Sequence, residues 1–345
     1  MENAEKKIVR IIVTGGTAER RLAVQEAANE YLSRGYTIFM VPNSMEELER
    51  AGVTPEALRS PAAFVSACLD LQLANEYVFF RAAAMAEEDR ILIICDGGTM
   101  DSTALLSSEE RLKLLEQLGV SLTSLRDGGD AVFFVGSPAA QDGLCILDAW
   151  AGHPHLRIID AEGPGAARER LIAETDSVIG EPEPLEIERR FLIDYPDMDW
   201  LASQSGCAAV EIEQAYLSDP DGEDVRLRKR GAEGGYIYYE TIKRGEGATR
   251  SEVERRISEA EYTARIREAG SGVRWIRKTR YCLVYQGQYL EIDVYPFWND
   301  QAVVEAELLR EDAEVALPPE IRVREEITGN PEYSNYALSR PDESR

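Results

Sequence analysis

Two different periodicities divide this chain. In the first half, short continuous apolar runs at 8–13, 37–41, 91–95, 131–135 and 156–159 alternate with stretches at 18–33 and 166–173, where apolar residues recur every three or four positions. Continuous apolar runs are strands buried on both faces, and their alternation with helices predicts a parallel α/β sheet. After residue 180 the pattern changes to polar–apolar alternation. Turn signals separate the runs: Asp219-Pro220-Asp221-Gly222, Gly234-Gly235, the 270–272 stretch and Gln286-Gly287. That predicts an antiparallel β domain closed as a barrel. Gly180, Pro182 and Pro184 punctuate the change, so the expected domains are 1–178 and 179–345.

The alternation in the second half is unusual in its polar members. Glu186, Glu188 and Arg190 stand two apart, as do Arg226, Arg228 and Arg230. Thr241 and Lys243 follow, then Glu252, Glu254 and Arg256, Lys278 and Arg280, Glu291 and Asp293, and Glu305 and Glu307. Residues two apart on a strand share a face. The residues between them are mostly apolar: Ile187, Leu227, Ile242, Val253, Ile292 and Ala306. About eight strands would therefore each carry one apolar and one ionised face, enough to close a barrel. A solvated face mixes Ser, Thr, Gln and Lys freely, whereas these positions are almost purely Glu, Asp, Arg and Lys. If the apolar faces pack outward against helices such as 258–268, the ionised faces line the interior. Acids and cations enclosed in such numbers are costly to desolvate without a charged ligand and water. A polyanion with hard divalent cations suits both signs: carboxylates for Mg²⁺ or Mn²⁺, arginines and lysines for phosphate oxygens.

Composition narrows the ligand class. The chain has 345 residues, 63 acids and 38 bases, a formal net charge of −25. The acid excess runs through both halves, which argues against nucleic acid and against an anionic membrane surface as partners. Residues 1–16 contain no apolar signal core, and there is no run of 18 apolar residues, so a cytoplasmic location is expected. The five cysteines are scattered and never form CxxC, which reads as reduced, buried thiols. The only histidines, His153 and His155, share one HPH tripeptide, an unpromising basis for a zinc hydrolase or a serine triad.

In order along 186–338, EIERRFLI, IEQAYL, VRLRKRG, YYETIKRG, SEVERRIS, IRKTRY, YLEIDVY, AVVEAEL and EITGNPEYSNYAL resemble the CYTH, or triphosphate tunnel metalloenzyme, superfamily. The resemblance implies an eight-stranded antiparallel tunnel that binds a triphosphate with Mg²⁺ or Mn²⁺. It implies hydrolysis of tripolyphosphate, thiamine triphosphate or a nucleoside triphosphate, with adenylate cyclisation or non-catalytic polyphosphate or nucleotide sensing as alternatives. Carried over position by position, Glu186, Glu188, Glu305 and Glu307 are the implied metal ligands. Arg190, Arg226, Arg228, Lys243, Lys278 and Arg280 are the implied phosphate clamp. Glu252, Glu254 and Arg190 are the implied catalytic residues, the two acids orienting the clamp, binding a second metal or holding water, and Glu291 and Asp293 match without a defined role. One position departs from the pattern: the family's signature lysine is Arg190 here, which keeps the charge but cannot release a proton.

The first half carries a second resemblance. Strand, glycines and helix in IVRIIVTGGTAERRLA give the context of a phosphate-binding P-loop. Counted from Gly15, however, the second glycine falls on Arg20, the lysine on Arg21 and the magnesium hydroxyl on Leu22. ILIICDGGTMD, LRDGGDAVFFV and WAGHPHLRIID resemble a P-loop AAA-type ATPase domain found ahead of CYTH domains, with Asp96 at its metal-facing position. SPAAQDGLCILDAW is shorter than the segment that carries an arginine there. The expected vestigial nucleotide site is Gly15, Gly16, Arg21 and Asp96. The half is read as a catalytically inactive structural, regulatory or dimerisation module, with nucleotide binding without turnover as the alternative. Nothing in the sequence fixes the oligomeric state.

Overall fold

The computed structural model describes residues 6–138, 140–159, 164–180, 187–218, 224–232, 235–244, 251–270, 273–308 and 313–341. The chain forms two compact units. The first comprises Met1–Glu186 with Gln204–Cys207 and Val284–Tyr289; the second comprises Ile187–Ser203, Ala208–Leu283 and Leu290–Arg345.

In the first unit the strands are β1 (Lys7–Gly15), β2 (Thr37–Val41), β3 (Arg90–Asp96), β4 (Ala131–Val135) and β5 (Leu156–Ile159). They form a parallel sheet in the order β2-β3-β1-β4-β5. The helices are α1 (Thr17–Ser33), α2 (Ser44–Arg50), α3 (Pro55–Leu58), α4 (Pro61–Met85), α5 (Ser108–Leu118), α6 (Leu122–Arg126), α7 (Gln141–Trp150) and α8 (Pro164–Ile179). Alternate strand residues feed two cores. Ile12, Ile91, Ile93, Val132 and Phe134 pack with Val65 and Leu69 of α4. Ile11, Val13, Leu92, Phe133 and Val135 pack with Val24 and Tyr31 of α1 and Leu171 of α8. Because both faces are covered, the strands read as unbroken apolar runs. Helix α8 is longer than the periodicity at 166–173 predicts. Helix α4 has apolar residues all round its circumference, so no one-sided stripe announces it.

The second unit runs β6 (Ile187–Asp194), α9 (Met198–Ser203), β7 (Cys207–Ser218), β8 (Asp224–Ala232), β9 (Gly235–Arg244), β10 (Ser251–Ile257), α10 (Glu259–Ala269), β11 (Arg274–Tyr285), β12 (Gln288–Val294), β13 (Gln301–Leu308), β14 (Val323–Glu326), α11 (Asn335–Leu338) and β15 (Arg340–Pro341). The expected eight strands become a ten-stranded sheet: β10-β9-β8-β7-β11-β12-β13-β6 is extended by β14, and β15 pairs with β11. The additions lie between Val323 and Pro341, where β14 and β15 are too short to show an alternation of their own. Between β11 and β12, Gln286 and Gly287 both have positive φ, 47° and 74°, the conformation a two-residue hairpin turn requires.

The apolar faces point to α10. Ala215, Leu227, Tyr238 and Ile257, from four adjacent strands, bury against Tyr262 of that helix. Ser258 caps α10 in a reciprocal box with Glu261. Glu240, buried on the same side, accepts 2.9 Å hydrogen bonds from the Nε atoms of Arg255 and Arg265, which ties the helix to β9 and β10. Leu227 is fully buried at the centre of this contact. Replacing it with alanine is expected to destabilise the second unit by about 3 kcal/mol, read as lost hydrogen-exchange protection in β8 and β9. A loss below about 1 kcal/mol would mean that α10 does not seal this face.

Candidate active site

Register fixes what shares the opposite face. Arg226 lies across from Tyr216 of β7 and Thr241 of β9, and Arg228 from Gln214 and Tyr239. Glu254 lies across from Thr241, and Glu252 from Lys243. At the other end Arg190 faces Glu305, Glu188 faces Glu307, and Glu291 faces Glu305. Side chains from strands that are not sheet neighbours also meet. Arg280 of β11 reaches Glu305 of β13 at 2.6 Å. Arg190 of β6 and Arg228 of β8 both act electrostatically on the Tyr216 phenol of β7. The ionised face is therefore concave. The side chains of Lys243 and Glu252, and Glu186 altogether, lie outside the described residues.

The cations and acids of this face sort into two groups. The first is neutralised. Asp293 accepts from Arg280 Nε and Nη2, both at 2.7 Å, and pairs with Lys278. Arg280 also binds Glu291 and Glu305. Arg190 donates from Nε to the second oxygen of Glu305 at 2.8 Å, and from Nη2 to the Tyr333 carbonyl at 3.1 Å. Burial alone would raise the Asp293 pKa, yet Arg280 and Lys278 hold it at about 2. Lys278 is pushed below its ordinary value, first by burial and then by Arg280. For Arg280 burial is outweighed by Asp293, Glu291 and Glu305, and its pKa rises well above normal.

The second group brings two arginines to one carboxylate. Glu254 accepts from Thr241 Oγ1 at 2.7 Å and from Arg226 Nη2 at 3.3 Å, and lies 3.9 Å from Arg228 Nη1. One carboxylate therefore serves two guanidiniums. The buried Nε of Arg228 has no hydrogen-bond partner among the described residues. Burial and then Arg226 lower the Arg228 pKa; Glu254 opposes them, while Arg280 and Arg230 add to the fall. A guanidinium destabilised by like neighbours is poised for an anion.

Each implied metal ligand has a distinct setting. Glu305 is engaged through both oxygens by Arg190 and Arg280, so in this arrangement it orients cations. Glu188 and Glu307 are exposed and directly opposed across β6 and β13. Carboxylate oxygens at directly opposed strand positions are donors that suit a hard ion. These two fit Mg²⁺ or Mn²⁺, with Glu186 two residues before on the same chain. Among the described residues, no cluster of three or more His, Cys, Asp or Glu forms a metal-binding set.

Sequence reasoning based on charge alone missed the uncharged members. Tyr216 is one: its pKa is raised by burial, against the pull of Arg226, Arg228 and Arg190. Asn335 of α11 is another, accepting from Tyr295 Oη at 2.9 Å and from Lys278 Nζ at 3.4 Å. Tyr216 alternates correctly on β7, but only ionised residues stood out in the pattern, and Asn335 lies on a short helix where a period of two has no meaning.

In the first unit Gly15, Gly16 and Asp96 do come together, though around a different residue. Strand β1 passes into α1 through Gly16 alone, which leaves no loop to cradle a phosphate. A side chain on Gly15, at φ 114°, would stand 2.2 Å from the Val135 carbonyl oxygen. Arg20, almost fully buried, donates from Nε to Asp96 at 2.6 Å, from Nη2 to Glu46 at 2.6 Å and from Nη1 to the Gly15 carbonyl at 3.2 Å. Arg21, at the lysine position of the motif, is exposed and pairs with Glu46. No helix among the described residues is long and apolar enough to cross a membrane.

The depressed pKa of Asp293 sets a pH window. A carboxylate whose pKa is lower folded than unfolded adds stability above its unfolded value, near 3.8, and loses that contribution as pH falls through its folded value. The Asp293 carboxylate is expected to stay ionised down to about pH 2 by carbon-detected NMR. Asp293→Asn should flatten the acid limb of the stability curve between about pH 4 and 2. Titration near pH 4 would break the assignment.

The comparisons with known proteins concern the same half. Residues 184–327 match the CYTH domain model. An inorganic triphosphatase of Nitrosomonas europaea is 35% identical over 158 residues, 45% of this chain and 96% of that protein. A crystal structure of a hypothetical protein is 33% identical, covering 45% of this chain and 97% of that one, with a TM-score of 0.34. A crystal structure of an inorganic triphosphatase is 30% identical, covering 45% and 95%, with a TM-score of 0.32. With so much of a relative matched at this identity, the chain belongs to the CYTH family.

Proposed function

We propose that the second unit hydrolyses a triphosphate, inorganic or organic, on its concave charged face. The observation that carries this reading is the buried Nε of Arg228, which has no hydrogen-bond partner among the described residues and lies beside like-charged arginines. The triphosphatase relative supports the substrate class.

In this reading Arg226, Arg228 and Lys243 take phosphate oxygens, and Lys278 and Arg280, already fixed by Asp293, complete the clamp. Arg190, in place of the family's lysine, holds Glu305 and the Tyr333 carbonyl together and is a positioning residue. Glu254 orients Arg226 through a shared contact with Thr241. Water attacks the terminal phosphorus in line and the bond to the bridging oxygen breaks. Diphosphate leaves, and the proton released passes to Glu252 or Glu254. Bound Mg²⁺ or Mn²⁺, held by Glu186, Glu188 and Glu307, would neutralise charge on the phosphate oxygens. We infer that the first unit is catalytically inactive. Arg20 fills the space between the ends of β1 and β3 with a guanidinium already satisfied by the chain's own acids.

Phosphate release from tripolyphosphate, thiamine triphosphate and ATP, each with Mg²⁺ or Mn²⁺, tests the reading on the full chain. Turnover of at least one is expected. Arg228→Ala and Glu188→Ala should each lower kcat/KM by roughly a hundredfold or more, while Arg20→Ala should leave it unchanged. No turnover of any of the three would falsify the enzyme assignment, and cyclic AMP from ATP would replace it with a cyclase.

A further inference from the structure

Helix α4 of the first unit leaves an apolar face exposed among the described residues. Its buried side carries Phe64, Val65, Cys68, Leu69 and Gln72. The other side is also apolar: Leu73 is 39% exposed, Tyr77 62%, Val78 60%, Phe80 48% and Met85 71%, with Ala74 and Ala84 exposed between them. Single apolar residues are ordinary on a protein surface, but a contiguous set along one helix face is not. A helix that is apolar all round is built to be covered on both sides. From residue 70 to 85 this face is about 22 Å long.

Two charged residues identify what covers it. Within α4, Asp70 and Arg81 are the only charged side chains exposed along that face, one near each end of the apolar stretch. They stand three helical turns apart, so they share a side of the helix. Arg81 lies 5.9 Å from the Tyr77 ring centroid and donates to its hydroxyl at 3.4 Å, so it borders the apolar face. One acid and one base at opposite ends make the face complementary to itself run backwards. A two-fold axis passing between residues 75 and 76 would set Asp70 of one copy against Arg81 of the other, twice. It would also set Leu73 against Val78 and Ala74 against Tyr77. A two-fold interface requires such self-complementarity. A partner of one sign would match only one end of the face.

We propose that this protein forms a two-fold homodimer through antiparallel packing of α4 against α4 of a second copy, with Asp70 and Arg81 setting the register. Tyr77 and Phe80 are the buried anchors and the two ion pairs lie at the rim, giving orientation more than affinity.

Sedimentation equilibrium of the full chain is expected to return twice the 38.5 kDa monomer mass. Tyr77→Glu with Phe80→Glu should weaken the dimer by more than about a hundredfold and leave the melting temperature and circular dichroism of the monomer intact. Asp70→Arg and Arg81→Asp should each weaken self-association, because each places like charges together twice. The two single variants mixed should form a heterodimer, since every 70–81 contact across that pair is again opposite in charge, and the double variant should dimerise with itself. A monomeric wild type would overturn the proposal and leave the face to another occupant. A dimer unaffected by Tyr77→Glu and Phe80→Glu would overturn it by placing the interface elsewhere, and failure of the mixed singles to pair would overturn the antiparallel register.

Discussion

The second unit depends on the desolvation of Asp293. This carboxylate has no exposure to solvent, and a buried charge persists only when it is paired and hydrogen-bonded. It takes both arms of Arg280 and the ammonium of Lys278, and the surplus positive charge is met by Glu291 and Glu305. Glu305 passes the constraint to Arg190, and through it to the Tyr333 carbonyl. Each member is therefore held by at least one other. Removing one would leave a buried charge unpaired, a far larger cost than the net worth of the pair. The outcome is rigidity: the cations reach the concave face already ordered, so a ligand need not meet the entropic cost of ordering them.

How much of this could be read beforehand follows from what each period encodes. The strands of the first unit were legible because burial on both faces leaves continuous apolar runs, and strands such as β8 were legible because Arg226, Arg228 and Arg230 repeat at the pleat. A period of two assigns a residue to a face and stops there. It does not say that Glu305 is taken up by two guanidiniums while Glu188 and Glu307 confront each other, because that depends on curvature bringing β11, β13 and β6 together. It also misses Tyr216 and Asn335, whose contribution is position and not charge. In the first unit the motif count found the wrong residues at the loop positions. It could not show that β1 meets α1 across a single glycine, or that Arg20, not Arg21, turns inward. Helix α4 escaped for the opposite reason, since apolar residues on every side carry no one-sided signal.

The charge balance of the whole chain and that of the site point in opposite directions, and both hold. The acid excess is spread over both units, and exposed charges separated by more than about 10 Å are largely screened at moderate salt. Around Arg226 and Arg228 the distances are a few ångströms and the side chains are half-buried, so the nearest charges dominate the potential. A net charge of −25 therefore argues against a broadly basic outer surface without arguing against an anion beside Arg226 and Arg228.

The two units show how the same chemistry can close a site or open one. Arg20 and Arg228 are both guanidiniums with little access to solvent, each beside carboxylates. Arg20 meets Asp96, Glu46 and a backbone carbonyl, all within 3.2 Å. Burial acts against its charge, but Asp96 leads the interactions that raise its pKa. Among the described residues Arg228 pairs with Glu254 at 3.9 Å, which Arg226 shares, and it has other arginines around it; its pKa falls. An anion arriving at Arg20 would have to displace bonds already made. At Arg228 it would relieve repulsion already present and satisfy an idle donor. In the proposed reading, then, an idle donor beside like-charged neighbours separates the arginine that takes an anion from the one the chain has already satisfied.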